Sequence, residues 1–541
     1  MDWKARLEHE LISVYGAERG TPLARALAVR ADEQKHRAGP SGFDDPAEAL
    51  LITYGDQVTR PGEAPLSVLR SFLGLRARGL VSGVHVLPFY PWSSDDGFAV
   101  KDFLAVDPAL GTWSDVRDLG RDFDLMADAV FNHASVQGEW FARFREDAEG
   151  FGEFFTTMEG DPDLTAVVRP RALPLLTEFA TARGPRRVWT TFSSDQADLN
   201  FRESDVMRAL SEVLLFYLAQ GVRYIRLDAI GFIWKEPGTS CLHLPPAHAL
   251  VRAWRALAEG AAPGARLVTE TNVPHADNIS YFGDGHNEAH MVYNFALPPL
   301  VLHTLRTGDA SVLTGWAAGL TVPSPDTTFF NFLASHDGIG LNPARGLLPE
   351  KDIAALVDLA HRAGGYAGQK TMPDGSQAPY ELNVNYFDAL AVGCDDATAV
   401  RRFTVAHAMA FALAGVPGLY FHSLFGSRGD RPGAESSGIP RRINRQKFEA
   451  DTLAGELDDP GSLRHRLHAN LAGLLRRRAS CAAFAPSAPQ RVIDAGPGLF
   501  VVERGHPGEA MLCLHEVAGQ HQEYAGQNLE PYEVRWIPVL S

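Results

Sequence analysis

Four segments of the 541-residue chain end in groups that can move protons or stabilise charge. Asp128-Ala129-Val130-Phe131-Asn132-His133 joins an acid to a histidine, and Arg226-Leu227-Asp228 places an acid two residues after an arginine. Glu270 follows the apolar run Leu267-Val268-Thr269, and His336-Asp337 pairs a second histidine with another acid. One aspartate at a strand end is usually a turn or cap residue. Several acids in one cleft repel each other and lose hydration, so a cluster points to chemistry. Glycosidic bond cleavage wants such a cluster. Two carboxyl groups about 5–5.5 Å apart permit retention: one attacks the anomeric carbon and the other protonates the leaving oxygen. The attacking group must be ionised, and Arg226 lies on the same strand face as Asp228, where a guanidinium favours the charge. Glu270 has no cation nearby in sequence, which suits a general acid with a raised pKa.

The elements that must position these groups are short apolar runs, each followed by a polar segment and a helix-like stretch. The runs are Ala49–Tyr54, Val84–Leu87, Leu125–Val130, Tyr224–Leu227, Leu267–Thr269, Met291–Tyr293, Phe329–Leu333 and Gly418–Phe421. Continuous apolar runs alternating with helices predict buried parallel strands, and eight of them predict an α/β fold of the (β/α)8 barrel type. Such a barrel carries its active site at the C-terminal ends of its strands, where all four segments fall. Residues 46–130, 203–338 and 394–479 are assigned to the barrel. The stretches 131–202 and 339–393, too long for simple connections, are read as subdomains inserted after the third and seventh strands. Alternating patterns from 480 to 541 suggest a small C-terminal β domain. Residues 1–45 read as an extension of two small helices, the second opening at Thr21-Pro22, closed by Gly39-Pro40-Ser41-Gly42.

With 45% hydrophobic and 21% charged residues, disorder is excluded. Fifty Lys and Arg against 66 Asp and Glu leave a net charge of −16, which opposes nucleic acid and anionic membrane surfaces as partners. Four cysteines without a C-x-x-C pair suit buried thiols in a reducing cytosol. The first residues lack the apolar core of a secretory signal, and Ala406–Phe421 falls short of the ~20 residues a membrane span needs. A cytoplasmic location is therefore expected, with small molecules as partners, a homodimer as the assembly considered, and no cofactor or metal.

The four segments resemble the signature regions of the α-amylase-type glycoside hydrolases. Leu51–Asp56, Lys235–Cys241 and His336–Gly340 resemble the sucrose phosphorylase branch. Leu87–Phe98, Glu270–His275, Gly340–Glu350 and the N-terminal extension are similar to the glucosylglycerate phosphorylases. Carried over by position, the resemblance implies Asp228 as nucleophile, Glu270 as general acid/base and Asp337 as transition-state stabiliser. It implies that His133 and His336 hold glucosyl hydroxyls, with Arg226 beside the nucleophile. Asp95 and Arg441 match a pair gripping the far edge of the sugar, Phe98 and Phe192 aromatic platforms, and Gln196 a polar contact. Glu381 stands where sucrose phosphorylases carry a glutamine that contacts the acceptor, a departure that argues against sucrose.

The implied reaction converts 2-O-α-D-glucopyranosyl-D-glycerate and inorganic phosphate into glucose 1-phosphate and D-glycerate. Both acceptors are anions, so a chain at −16 must build a local positive patch. Arg171 matches a phosphate-handling arginine of the sucrose branch; Arg169, Lys235 and Arg428 are further cations, while His275 and Asn278 are candidates for the acceptor side. The alternatives are phosphorolysis of sucrose, sucrose 6′-phosphate or glucosylglycerol, and an α-glucosidase using water. A non-catalytic chain like the transporter heavy chains disagrees with the retention of all three carboxylates.

Overall fold

The eight apolar runs are strands: β1 (Leu50–Thr53), β2 (Gly83–Val86), β3 (Asp124–Ala129), β4 (Val222–Leu227), β5 (Arg266–Thr269), β6 (Met291–Tyr293), β7 (Thr328–Phe332) and β8 (Val416–Tyr420). Every residue of β1, β2, β5, β6, β7 and β8 is buried, which is why these strands read as unbroken apolar runs rather than alternating ones. In this computed structural model, which describes residues 2–34, 39, 42–171, 173–371 and 377–539, the strands pair in parallel in chain order. The ring closes through β8 against β1. The expected (β/α)8 barrel is thus the architecture.

Helices cover the barrel. Pro245–Ala261 starts with proline at its first helical position, and Trp113–Leu119 is opened by a capping box in which Thr112 and Asp115 satisfy each other's backbone. The apolar stretch Ala406–Phe421 divides into the end of helix Asp396–Ala412 and strand β8, joined through Gly415 at φ 136°. No helix among the described residues is long and apolar enough to cross a membrane.

The extension differs from its expected form. Trp3–Glu33 is helical throughout except at Gly16, whose φ of 74° and ψ of 164° break the run. The break falls at Gly16 rather than Thr21-Pro22, because glycine reaches positive φ without steric cost. Pro40 and Ser41 lie outside the described residues. Trp3 packs on Gly260, where an added Cβ would meet the indole at 2.3 Å, so the extension seats on the helix between β4 and β5.

Past β3, His133–Ser135 pairs with Gln196–Asp198, and Gly184–Trp189 joins Thr157–Met158 to Leu176–Thr181. Past β7, Gln377–Asn383 lies between Ile339–Gly340 and Tyr366–Thr371, beside helix Glu350–Arg362. Near the C-terminus, Gln490–Asp494, Leu499–Arg504, Met511–Glu516 and Val534–Pro538 form an antiparallel sheet.

Candidate active site

A cavity of about 1070 Å³, counting its open mouth, lies at the C-terminal ends of the strands. Its floor is a buried charge network. Arg226, on β4, donates to Asp128 at 2.5 Å and to Asp228 at 2.7 Å. Asp128, on β3, is also bonded by His85 of β2 at 2.7 Å, so its charge is met from two sides. Burial pushes the Asp128 carboxyl up, but His85 and Arg226 outweigh it and hold the group below its usual range.

Asp228 and Glu270 face this cavity from adjacent strands. Ala229, at a left-handed φ of 49°, turns the chain after Asp228 and donates its N–H to Glu270 at 3.1 Å. A non-glycine residue there is strained, of the kind that recurs at functional sites. Burial raises the Glu270 carboxyl; Arg226 opposes this while Asp228 and Asp337 reinforce it, and the group is pushed up to about 7. Burial also raises Asp228, against the pull of Arg226. Of the two, Asp228 is hydrogen-bonded by a guanidinium and Glu270 by a neutral amide, so the negative charge settles on Asp228. The pair can therefore supply an ionised nucleophile beside a protonated acid.

Asp337 is held by Arg441 at 2.7 Å and His336 at 3.3 Å, with Arg445 at 3.7 Å. Burial pushes its carboxyl up, but Arg441, His336 and Arg445 reverse this and keep it well below the usual carboxylate range. Arg441 also grips Glu381 with two bonds of 2.9 and 2.8 Å. It thus bridges Asp337 and Glu381, while Asp95 is paired instead with Arg171 at 3.2 Å. Asp95 and Arg441 line one cavity without touching, since each is taken up by another partner.

Backbone geometry presents Asp95. The turn after β2 places Asp95 and Asp96 at φ 55° and 49°, and Gly97 at φ 112°, where a Cβ would stand 2.7 Å from the Pro88 carbonyl oxygen. Asp96 points away, to Arg442 at 2.8 Å and Arg445 at 2.7 Å. Phe98 stacks on His336 with centroids 4.9 Å apart, and Phe192 tilts against His133 at 5.3 Å. Gln196 reaches His133 at 3.2 Å and the Phe98 carbonyl at 3.3 Å. Burial draws the His336 imidazole down to about 3, so it is neutral near pH 7.

Asp95, Phe98, His133, Arg171, Phe192, Gln196, Asp228, Glu270, His336, Asp337, Glu381 and Arg441 therefore line one cavity, as does Arg169, with Arg226 directly beneath. Four expected residues lie elsewhere. Lys235 is buried against Asp198 at 2.6 Å and Asn132 at 2.7 Å, because a lysine inside the fold needs its charge matched there. Arg428 is half-exposed and binds Asp388 at 2.8 Å and Asp396 at 2.9 Å. His275 packs edge-on to Trp316 and over Phe329, each with centroids 6.1 Å apart. Asn278 sits behind the wall, accepting from Thr271 at 2.6 Å and donating to the Tyr293 carbonyl at 2.7 Å.

The cavity also contains residues that motif reading missed: Asn272, His243, Asn342, Lys370 and Tyr380. Asn272 was legible as a neighbour of Glu270. Lys370 and Tyr380 carried no signal, since they come from a hairpin that only tertiary folding brings over the mouth. Among the described residues no group of three or more His, Cys, Asp or Glu is placed to hold a metal ion.

Residues 79–317 match the α-amylase catalytic domain. The chain is 51% identical to a glucosylglycerate phosphorylase of Allomeiothermus silvanus, over 98% of each chain. It is 48% identical to a glucosylglycerate phosphorylase of Escherichia coli K12, over 99% of this chain and all of that one. In fold it is similar to the crystal structure of sucrose 6F-phosphate phosphorylase from Thermoanaerobacter thermosaccharolyticum, with a TM-score of 0.77 at 23% identity, covering 91% of this chain and 98% of that chain. With this full-length likeness and a cavity built at the strand ends, the chain belongs to the glycoside phosphorylases of the α-amylase family.

Proposed function

We propose that this enzyme catalyses the reversible phosphorolysis of 2-O-α-D-glucopyranosyl-D-glycerate with retention of configuration. The observation that carries the mechanism is the split between two neighbouring carboxyl groups: Asp228 bonded by Arg226 at 2.7 Å, and Glu270 pushed up to about 7. Glu270 gives its proton to the glycosidic oxygen while Asp228 attacks the anomeric carbon. D-Glycerate leaves, and a β-glucosyl ester remains on Asp228. Glu270, now a carboxylate, takes a proton from inorganic phosphate as a phosphate oxygen attacks from the face that glycerate vacated. Two inversions give α-D-glucose 1-phosphate. Asp337, kept ionised by Arg441, stabilises the positive charge that develops on the sugar. The acceptor rests on the two relatives, each called a glucosylglycerate phosphorylase, that match nearly the whole chain.

The test is to incubate the enzyme with phosphate and each candidate glucoside and to assay glucose 1-phosphate against free glucose. Glucose 1-phosphate from glucosylglycerate is expected. Free glucose as the main product at millimolar phosphate refutes phosphorolysis, and turnover of sucrose but not glucosylglycerate refutes the acceptor. Asp228→Ala should abolish transfer in a folded protein.

A further inference from the structure

We propose that Lys370, steadied by Asn342, binds the carboxylate of the acceptor and thereby selects glycerate over neutral polyols. The proposal rests on the reaction described above. Among the described residues, four cations line the cavity: Arg169, Arg171, Lys370 and Arg441. Arg171 is matched by Asp95, and Arg441 by Asp337 and Glu381. Among the described residues, Lys370 and Arg169 pair with no carboxylate, and Arg169 gives a donor to the Leu173 carbonyl.

Lys370 is the better placed of these two. Its ammonium donates to Asn342 Oδ1 at 2.7 Å, and Asn342 lines the same cavity. An ammonium has three donors, so the other two are left for a ligand. The facing strand of the hairpin supplies Tyr380 and Glu381, but the Glu381 carboxylate is gripped by Arg441 and does not neutralise the lysine. Burial and the nearby Arg345 both pull the Lys370 pKa down, which means that its charge stands in an unfavourable field. Arg345 is itself taken up by Glu350 at 2.6 Å and the Pro379 carbonyl at 3.1 Å. An anion beside Lys370 relieves that field, whereas the hydroxyl of a neutral acceptor can accept a hydrogen bond there but leaves the charge unmatched. A hydrogen bond to a charged partner is worth more than one to a neutral group, so the lysine favours the anionic acceptor rather than excluding the neutral one.

The experiment compares wild type, Lys370→Met, Lys370→Arg and Asn342→Ala. Each is assayed for phosphorolysis of glucosylglycerate and of its neutral counterpart glucosylglycerol, and for synthesis from glucose 1-phosphate with glycerate or glycerol. Lys370→Met should lose about tenfold to a hundredfold in kcat/KM for the glycerate reaction, the value of a charge-assisted hydrogen bond. The glycerol reaction and the KM for phosphate should stay near wild type, Lys370→Arg should recover part of the loss, and Asn342→Ala should show a smaller loss of the same kind. Unchanged selectivity, an equal loss with both acceptors, or a loss confined to the phosphate KM overturns the proposal. If thermal melting shows that Lys370→Met is unfolded, Lys370→Arg and Asn342→Ala decide by the same comparison. Wild-type enzyme that makes no glucose 1-phosphate from glucosylglycerate refutes the reaction itself, whereas wild-type turnover with unaltered selectivity in the variants refutes the lysine alone.

Discussion

Glu270→Gln keeps the shape of the side chain and removes its titration, so it separates what the carboxyl does for catalysis from what it costs the fold. Its ordinary pKa of 4.5 is pushed up to about 7, first by burial, against the pull of Arg226 and with help from Asp228 and Asp337. The folded state therefore holds a proton that the unfolded chain releases above 4.5. Stability falls as pH rises through that interval, and above 7 the full penalty is present. At 1.36 kcal/mol per pK unit, the penalty is about 3 kcal/mol at pH 8 and under about 1 kcal/mol at pH 5. The glutamine variant escapes it. An unfolding entropy near 2.1 cal/mol/K per residue, over a chain of this length, converts it into a Tm gain of about 3 °C at pH 8. Calorimetry of wild type and variant at the two pH values reads this directly. Transfer in the variant should fall about 100- to 10,000-fold, the usual worth of a general acid/base. Equal Tm differences at pH 5 and pH 8, or a variant less stable at pH 8, would refute the reasoning.

Other consequences follow from the same geometry. In Asp228→Asn the charge beside Glu270 is gone; two charges about 5.5 Å apart at an effective dielectric near 20 interact by about 3 kcal/mol, so Glu270 should titrate roughly two pH units lower by carboxyl infrared or NMR spectroscopy. A Glu270 pKa unmoved by that substitution means that the two groups do not sense each other. Lys235→Met strands Asp198 in the interior and should cost about 3 kcal/mol, seen as a Tm drop of about 3 °C, with the KM for phosphate near wild type. A large rise in that KM would restore Lys235 to the substrate site. Arg428→Gln, at an exposed pair, should change stability by less than about 1 kcal/mol and leave all kinetic constants within about twofold.

Glu381 has a definite physical role in this fold. A carboxylate at that place accepts two bonds from Arg441, at 2.9 and 2.8 Å, and so fixes the arginine that holds Asp337. Much of the positive charge gathered against the overall −16 is thereby spent inside the wall. A count of arginines at the mouth overstates the field that reaches a substrate.

The chain order alone determined the barrel, because strands buried on both faces must be unbroken apolar runs; their polar ends gather Asp128, Asp228, Glu270 and Asp337 at one mouth, and the family resemblance then singles out the last three. The pairing of Arg226 with Asp228 was equally legible, since side chains two apart on a strand share a face. Partners distant in sequence were not. Lys235 lies 37 residues from Asp198 yet is neutralised by it, His275 turned into an aromatic contact, and Arg428 was claimed by Asp388 and Asp396. Lys370 and Tyr380 reached the cavity from a hairpin whose local sequence has no motif. A cation's role depends on which carboxylates lie within a few ångströms, and that is decided by how the insertions fold over the barrel mouth.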